Sequence, residues 1–278
     1  MPRSLTDAEK EFALRNWPNM NVDNVLVTGD ATATYNCLAW TLGITNSWVW
    51  PWRGGATVSK AQFDQLYAAY GYSPSGSGPV VVFGFNASDM QHGSLFSQNY
   101  GSYESKCGSW LRITHTLQGM EGGSYGDVEG SYSATTALQK KTELMQLSFD
   151  SINRLSAREL KVLEDAVLNT DPALRSSFEK AYREWRATWQ HPLIISSSNP
   201  YDRTRSIQFL ELVALGSGIL PLLMNQLRNE EEFFALQAAD RLLKPALSVI
   251  RRPDDELILM GEQGRALETV KRWIHYHF

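Results

Sequence analysis

The sequence predicts an α+β chain in which a first half of helices and antiparallel strands is followed by an all-helical second half. Three observations carry this. Of the 20 glycines, 16 lie before residue 138, as do six of the nine tryptophans, so turns and shaped loops concentrate there. Residues 1–138 hold 7 Lys/Arg and 11 Asp/Glu, against 19 and 19 in 139–278, the charge density of solvated helix faces. Helix-start signatures then crowd the second half.

Taken in order, Thr6-Asp7-Ala8-Glu9 is a capping box and opens a first helix. Thr34-Tyr35-Asn36-Cys37-Leu38-Ala39-Trp40-Thr41-Leu42-Gly43 reads as a short helix starting near Thr34 or Asn36 and closing at Gly43. A second capping box, Ser59-Lys60-Ala61-Gln62, starts a helix with Phe63, Leu66, Tyr67 and Tyr70 at helical spacing, ended by Gly71. The pattern then changes to strands: Val80 to Phe83, Gln91 to Asn99, and Tyr103 to Thr116, the last two split by Asn99-Tyr100-Gly101-Ser102. The expected order is helices, then an antiparallel sheet. Ser131 to Thr136 is small and polar, as a linker is, and divides a domain over 1–135 from a helical domain over 136–278.

Beyond the divide, Ser156-Ala157-Arg158-Glu159 is a third capping box, and Asp171-Pro172 is an N-cap followed by proline at the first helical position. The helix it opens runs toward His191 and stops before Pro192. Apolar stripes follow at Ile207, Leu210, Leu212 and Leu215; at Leu220, Leu223 and Leu227; at Phe234, Leu236, Leu242 and Leu243; and at Leu267, Val270 and Ile274. The phrases around Ala214 to Leu223 and Phe233 to Leu236 resemble HEAT-like helix pairs, but no second copy recurs at a fixed period, so a plain bundle is the expectation.

With 278 residues, 43% of them apolar, the chain can bury a core, and a net charge of −4 offers no broad attraction to nucleic acid or anionic lipid. No apolar run is long enough for a membrane-spanning helix, and the first residues lack a cleavable signal, so the expected setting is cytoplasmic, or export without such a signal. Two cysteines are too few for a disulfide scaffold. His275 and His277 have no ligand-spaced Cys or carboxylate set beside them, so neither a metal nor a cofactor is implied.

Cys37 stands in the first turn of its helix, where unpaired amides and the positive dipole end favour thiolate, the nucleophilic form. A nucleophile of this kind needs a base, and His92, on a strand across the front of that helix, can supply it. Against this stands the ordinary behaviour of a free cysteine, which is to serve as a small buried hydrophobe. Cys107, beside Lys106 on a predicted strand, is expected to be inert. His115 reads as a hydrogen-bonding structural histidine. The Trp48 to Trp52 cluster reads as core or lid packing, and Gly76-Ser77-Gly78 as a connector because no phosphate-loop Lys follows.

The pieces Tyr35 to Trp40, Trp48 to Trp52, His92-Gly93-Ser94, Ser105 to Gly108, Ile113-Thr114-His115 and Tyr125-Gly126 occur in an order that resembles an uncharacterised family of papain-like domains. That family is similar, distantly, to NlpC-type cell-wall peptidases and transglutaminase-like domains. The resemblance spans roughly residues 20 to 132, under half of the chain. It implies Cys37 as nucleophile and His92 as general base, with the Cys37 amide, the Tyr35 or Asn36 side chain and Trp40 around an oxyanion or substrate site. For the ring-orienting third residue it points to the strand after the histidine. Ser105 is the first choice there and Glu104 the electrostatically stronger one; strand alternation lets one of the two face the site, and His115 is the further alternative.

Three functions follow as expectations. The first is a cysteine-dependent peptidase or amidase acting on a protein or peptide through an acyl-thioester. The second is a deamidase or transglutaminase-like enzyme on the same site. The third is a non-catalytic recognition module in which Cys37 is core. The helical domain offers a surface for a protein partner, and an effector or toxin role is an analogy of layout alone.

Overall fold

A computed structural model of the chain describes residues 1–51, 55–135, 155–243 and 261–278. These fall into two compact units. The first comprises Met1–Leu144 together with Ile195–Asn199, and the second Met145–Ile194 and Pro200–Phe278. The expected division between residues 135 and 136 abuts a stretch, 136–154, that lies outside the described residues.

In the first unit the described elements are β1 (Arg3–Ser4), α1 (Asp7–Asn16), β2 (Leu26–Gly29), α2 (Cys37–Thr41), α3 (Lys60–Ala69), β3 (Tyr72–Ser75), β4 (Val80–Asn86), β5 (Asp89–Ser97), β6 (Ser102–Lys106), β7 (Arg112–His115), α4 (Leu117–Met120) and β8 (Asp127–Ala134). The strands form one eight-stranded sheet in the order β1-β2-β7-β6-β5-β4-β8-β3, with every neighbouring pair antiparallel. The capping boxes at Thr6/Glu9 and Ser59/Gln62 are both closed, each satisfying two amides that a helix start leaves without partners.

Three expectations are corrected here. The sheet does not simply follow the helices, because β1 and β2 precede α2 and α3 and add to its edge beside β7. Two- and four-residue strands carry too little alternation to announce themselves in sequence. The Tyr103 to Thr116 segment is two strands, not one. Cys107 to Leu111 turn between them, with the Lys106 ammonium donating to the Gly108 carbonyl at 2.7 Å and the Trp110 carbonyl at 2.6 Å. Ser131 to Ala134, taken for a linker, are the end of β8 and pair with Tyr72 to Ser75; Thr136 lies outside the described residues. Small polar residues suit a strand whose side chains are half exposed.

The continuous run Val80 to Phe83 is buried on both faces of the sheet. Val81 and Phe83 join Trp17, Val27, Trp110, Ile113 and Tyr125 in one core against α1. Strand alternation turns Val80 and Val82 to the opposite face, that of α2 and α3. Phe12 stacks on Trp110 with ring centroids 4.4 Å apart, and Trp17 lies 5.3 Å from Tyr125. Trp48 and Trp50 are buried, and Trp52 lies outside the described residues.

The second unit is helical over α5 (Ala157–Leu168), α6 (Pro172–Thr188), α7 (Pro192–Ile195, whose last residue belongs to the first unit), α8 (Ile207–Ala214), α9 (Leu220–Gln226), α10 (Leu236–Leu242) and α11 (Gly261–His277). Ser156 and Asp171 cap α5 and α6. Trp185, Trp189, Phe209 and Phe234 form an aromatic centre, with Tyr182 donating to Glu232 at 2.7 Å beneath it. The stripe expected at Ile207, Leu210, Leu212 and Leu215 is corrected in part: Ile207 and Leu210 are exposed, Leu212 is buried as expected, and Phe209 is buried beside it. His275 Nε2 lies 3.4 Å from Glu159, and His277 Nδ1 lies 2.9 Å from the Trp273 carbonyl. Among the described residues no single helix is long and apolar enough to cross a membrane, and no group of His, Cys, Asp and Glu is placed to hold a metal.

Candidate active site

Cys37 is the first residue of α2, and Asn36 is its N-cap. The Asn36 side chain makes three buried hydrogen bonds. Its oxygen accepts from the Ala39 amide at 3.1 Å and the Val49 amide at 3.2 Å, and its nitrogen donates to the Val49 carbonyl at 2.7 Å. It ties the helix mouth to the tryptophan segment, with one of its two side-chain N–H groups given to the Val49 carbonyl.

The Cys37 thiol is fully buried. Its sulfur lies 3.0 Å from the Ser198 hydroxyl, across 161 residues of chain, and also receives the Gly93 and Leu38 amides. Burial pushes the thiol up to about 11, against the opposing pull of Ser198, those two amides and Lys106. The helix mouth therefore does not make a thiolate here: loss of water outweighs the dipole and the hydrogen bonds. Cys107 is likewise pushed up by burial in spite of Lys106.

Gly93 explains how β5 comes so close to α2. A Cβ at that position would lie 3.0 Å from the Leu38 methyl and 3.0 Å from the Tyr67 hydroxyl. Alternation then sends the side chain of His92 to the other face, where its register partner Phe83 lies with ring centroids 6.0 Å apart. Tyr125 stacks flat on the imidazole at 3.8 Å. Thus β5 meets the sulfur with the amide that follows His92. The His92 ring itself makes no hydrogen bond to Cys37: Nε2 lies 2.8 Å from Ser105 Oγ, and buried Nδ1 has no partner.

The proton positions around Ser105 can be worked out. His115 Nδ1 is 2.9 Å from the Thr116 carbonyl, which only accepts, so Nδ1 carries the hydrogen. Burial lowers His115 to about 4, so the ring is neutral at pH 7 and its Nε2 is an acceptor. Ser105 Oγ, 2.8 Å away, must donate to it. The same oxygen then accepts from Ser94 Oγ at 2.6 Å and from His92 Nε2 at 2.8 Å. His92 is held below its ordinary value by burial and by His115, so it too is neutral. Its proton sits on Nε2 and its lone pair on Nδ1.

Of the two neighbours on β6, Ser105 meets His92 and Glu104 turns to the other face, where it pairs with Arg112 at 3.3 Å. That face also holds Tyr35 and Trp40. The Arg112 guanidinium lies 3.9 Å above the Trp40 ring, and the Lys106 ammonium lies 5.4 Å from the Tyr35 ring. Trp40 of α2 and Tyr35 just before it are thus each covered by a cation of the sheet. Sequence reasoning placed Ser94 and Tyr125 within the resemblance without a role and missed Ser198. The role of Ser94 could have been found, being two residues from His92 on one strand face. Nothing local marks Ser198.

The paired buried imidazoles set an acid limit. The groups facing them are Ser94, Ser105, the Thr116 carbonyl and the rings of Tyr125, Phe83 and Tyr103, with no carboxylate among these contacts. His115 binds its proton at about 4 when folded and near 6.5 otherwise. Between those values the unfolded chain holds more protons, so stability is complete above 6.5 and falls as pH drops toward 4. Urea midpoints measured from pH 7 to pH 4 are expected to decline over that window and to decline less in His115→Gln. Identical profiles in the two proteins would refute this assignment.

No curated protein and no solved structure matches the chain. Residues 26–133, which carry Cys37, His92, Ser105 and His115 but less than half of the chain, are similar to a domain family of unknown function (DUF7689).

Proposed function

We propose that the first unit is a cysteine-dependent amide hydrolase of papain-like type, with Cys37 as nucleophile, His92 as base and Ser105 as the group that orients the imidazole. The observation that carries this reading is the His92–Ser105–His115 chain, which pins the His92 proton on Nε2 and leaves the Nδ1 lone pair unclaimed. A general base needs that state of the ring.

In the proposed cycle His92 Nδ1 takes the thiol proton while Sγ bonds to the substrate carbonyl carbon. The Cys37 main-chain amide, at the start of α2, faces the developing oxyanion. The C–N bond breaks as the same proton passes to the departing amine. Water then attacks the thioester, giving its proton to His92, and the carboxylic product leaves with the thiol restored. The cycle requires β5 to rearrange so that the His92 ring, stacked on Tyr125 on the face of the sheet away from α2, reaches the sulfur, and requires the Ser198 hydroxyl to leave it. Deamidation and transamidation share the thioester and differ in which amine departs or attacks.

A second reading, a recognition module with an inert Cys37, is favoured by the complete burial of the thiol and its rise to about 11. The test is to incubate the full chain and Cys37→Ala with a mixture of synthetic peptides and weigh the products. Cleavage splits a peptide, deamidation adds about one mass unit and crosslinking joins two, all through one acyl-enzyme. Products that vanish in Cys37→Ala support the enzyme. No product, together with a Cys37 that stays silent to an alkylating reagent at neutral pH, would establish the recognition module.

A further inference from the structure

We infer that the first unit contains a channel for an extended peptide main chain with small side chains, and that the chain's own residues 195–199 occupy it. The inference rests on the proposed role of Cys37 for its meaning but on separate contacts for its geometry.

The occupant is Ile195-Ser196-Ser197-Ser198-Asn199, which lies within the helical half by sequence but within the first unit by structure. Donors of the unit are aimed at its main-chain carbonyls. The Ser109 amide donates to the Ile195 carbonyl at 2.8 Å, with the Ser109 hydroxyl on the same oxygen at 3.2 Å. The Tyr125 hydroxyl donates to the Ser196 carbonyl at 2.7 Å, and Trp48 Nε1 to the Ser198 carbonyl at 2.9 Å. Recognition through carbonyls is indifferent to side-chain identity, which is how a site built for peptides holds an extended chain.

Side chains are selected by size instead. Ser196 and Ser198 are buried and Ser197 is partly exposed, with Asn199 buried after them. Gly108 forms the floor. Its φ is +57°, and a Cβ there would lie 2.5 Å from the Ile195 carbonyl oxygen and 2.6 Å from the Ser196 carbonyl carbon. Only glycine lets another backbone pass so closely in that conformation. At the far end the Asn199 side-chain Nδ2 donates to the Gly55 carbonyl at 3.1 Å.

The path ends at the sulfur. A carbonyl carbon about to be attacked must stand about 3–3.5 Å from its nucleophile, and the Ser198 hydroxyl already occupies that shell at 3.0 Å from Sγ. It presents a hydroxyl where a substrate would present a carbonyl, so the occupant is bound without being cleaved. The channel therefore takes peptides with Ser, Gly or Ala at the two inward positions, and residues 195–199 must leave before Cys37 can react.

The experiment follows iodoacetamide labelling of each cysteine by peptide mapping in the full chain. The wild type is compared with a Ser196→Lys, Ser198→Lys protein, whose long charged side chains do not fit, and with Gly108→Ala. Cys37 labelling is expected to rise at least about tenfold in the Lys variant while Cys107, buried in the core, stays unlabelled. A synthetic peptide spanning residues 193–201 should return the Cys37 rate toward the wild-type value. The same peptide carrying Lys at the two inward positions should not. Unchanged Cys37 labelling in both variants overturns the inference. So does an equal rise at Cys107, which would make residues 195–199 a structural part of the unit and not an occupant. Labelling that rises and is suppressed by the peptide, without any amide turnover, upholds the channel and defeats the hydrolase instead.

Discussion

Replacing His92 with alanine is expected to slow amide hydrolysis by about 10²–10⁴-fold, the range that a positioned general base contributes. The reason is specific to this imidazole. Ser105 and His115 hold its proton on Nε2, so the lone pair on Nδ1 is available at neutral pH with no change of tautomer. Burial lowers the ring's affinity for a proton, so at neutral pH the imidazole waits in its basic form. The check is kcat on any peptide found to be turned over, with the pH profile recorded for both proteins. Ser105→Ala is expected to lower kcat more than it changes KM. It should also cost about 1–3 kcal/mol of stability, because His92, Ser94 and His115 all lose a buried hydrogen-bond partner. Undiminished turnover by His92→Ala would remove the imidazole from the mechanism.

Trp17→Ala is expected to destabilise the first unit by about 3–5 kcal/mol, the usual cost of emptying a large buried aromatic site. Trp17 is fully buried, and its ring meets Phe12, Trp110 and Tyr125. The loss should reach the candidate site, because Tyr125 is also the ring stacked on His92 and the donor to Ser196. Urea unfolding followed by tryptophan fluorescence measures the first effect, and Cys37 labelling the second. Ile207→Ala on the exposed side of α8 is the control, expected to change stability by less than about 0.5 kcal/mol. Equal losses at the two positions would contradict the core described for this unit.

Much of the local structure was legible from sequence because its causes lie within three or four residues. Thr6 with Glu9, Ser59 with Gln62 and Ser156 with Glu159 each cap a helix through contacts contained in one turn. Asn36 as the N-cap before Cys37 is a signal of the same range. The strands that went unread are those whose stability comes from a partner far away. β1 has two residues and exists by pairing with β2, and β8 is polar and exists by pairing with β3 and β4. The stripe assigned to Ile207, Leu210, Leu212 and Leu215 erred at its first two positions for a related reason. Periodicity shows that α8 is amphipathic, while the neighbour that packs against it decides which residues are buried.

At the candidate site the same division holds. By itself the sequence determined an α+β chain with a helical second half, a cysteine in the first turn of a capped helix and a histidine on a strand followed by Ser105 on the next. Tertiary structure decided the chemistry available to them. It set the choice of Ser105 over Glu104, the placement of the His92 ring beside Tyr125, and the burial that raises Cys37. It also brought Ser198 across 161 residues to the sulfur. Caps and strand alternation are short-range effects written in neighbouring residues. Desolvation and proton position depend on what the rest of the chain packs against a group, and no local pattern encodes that.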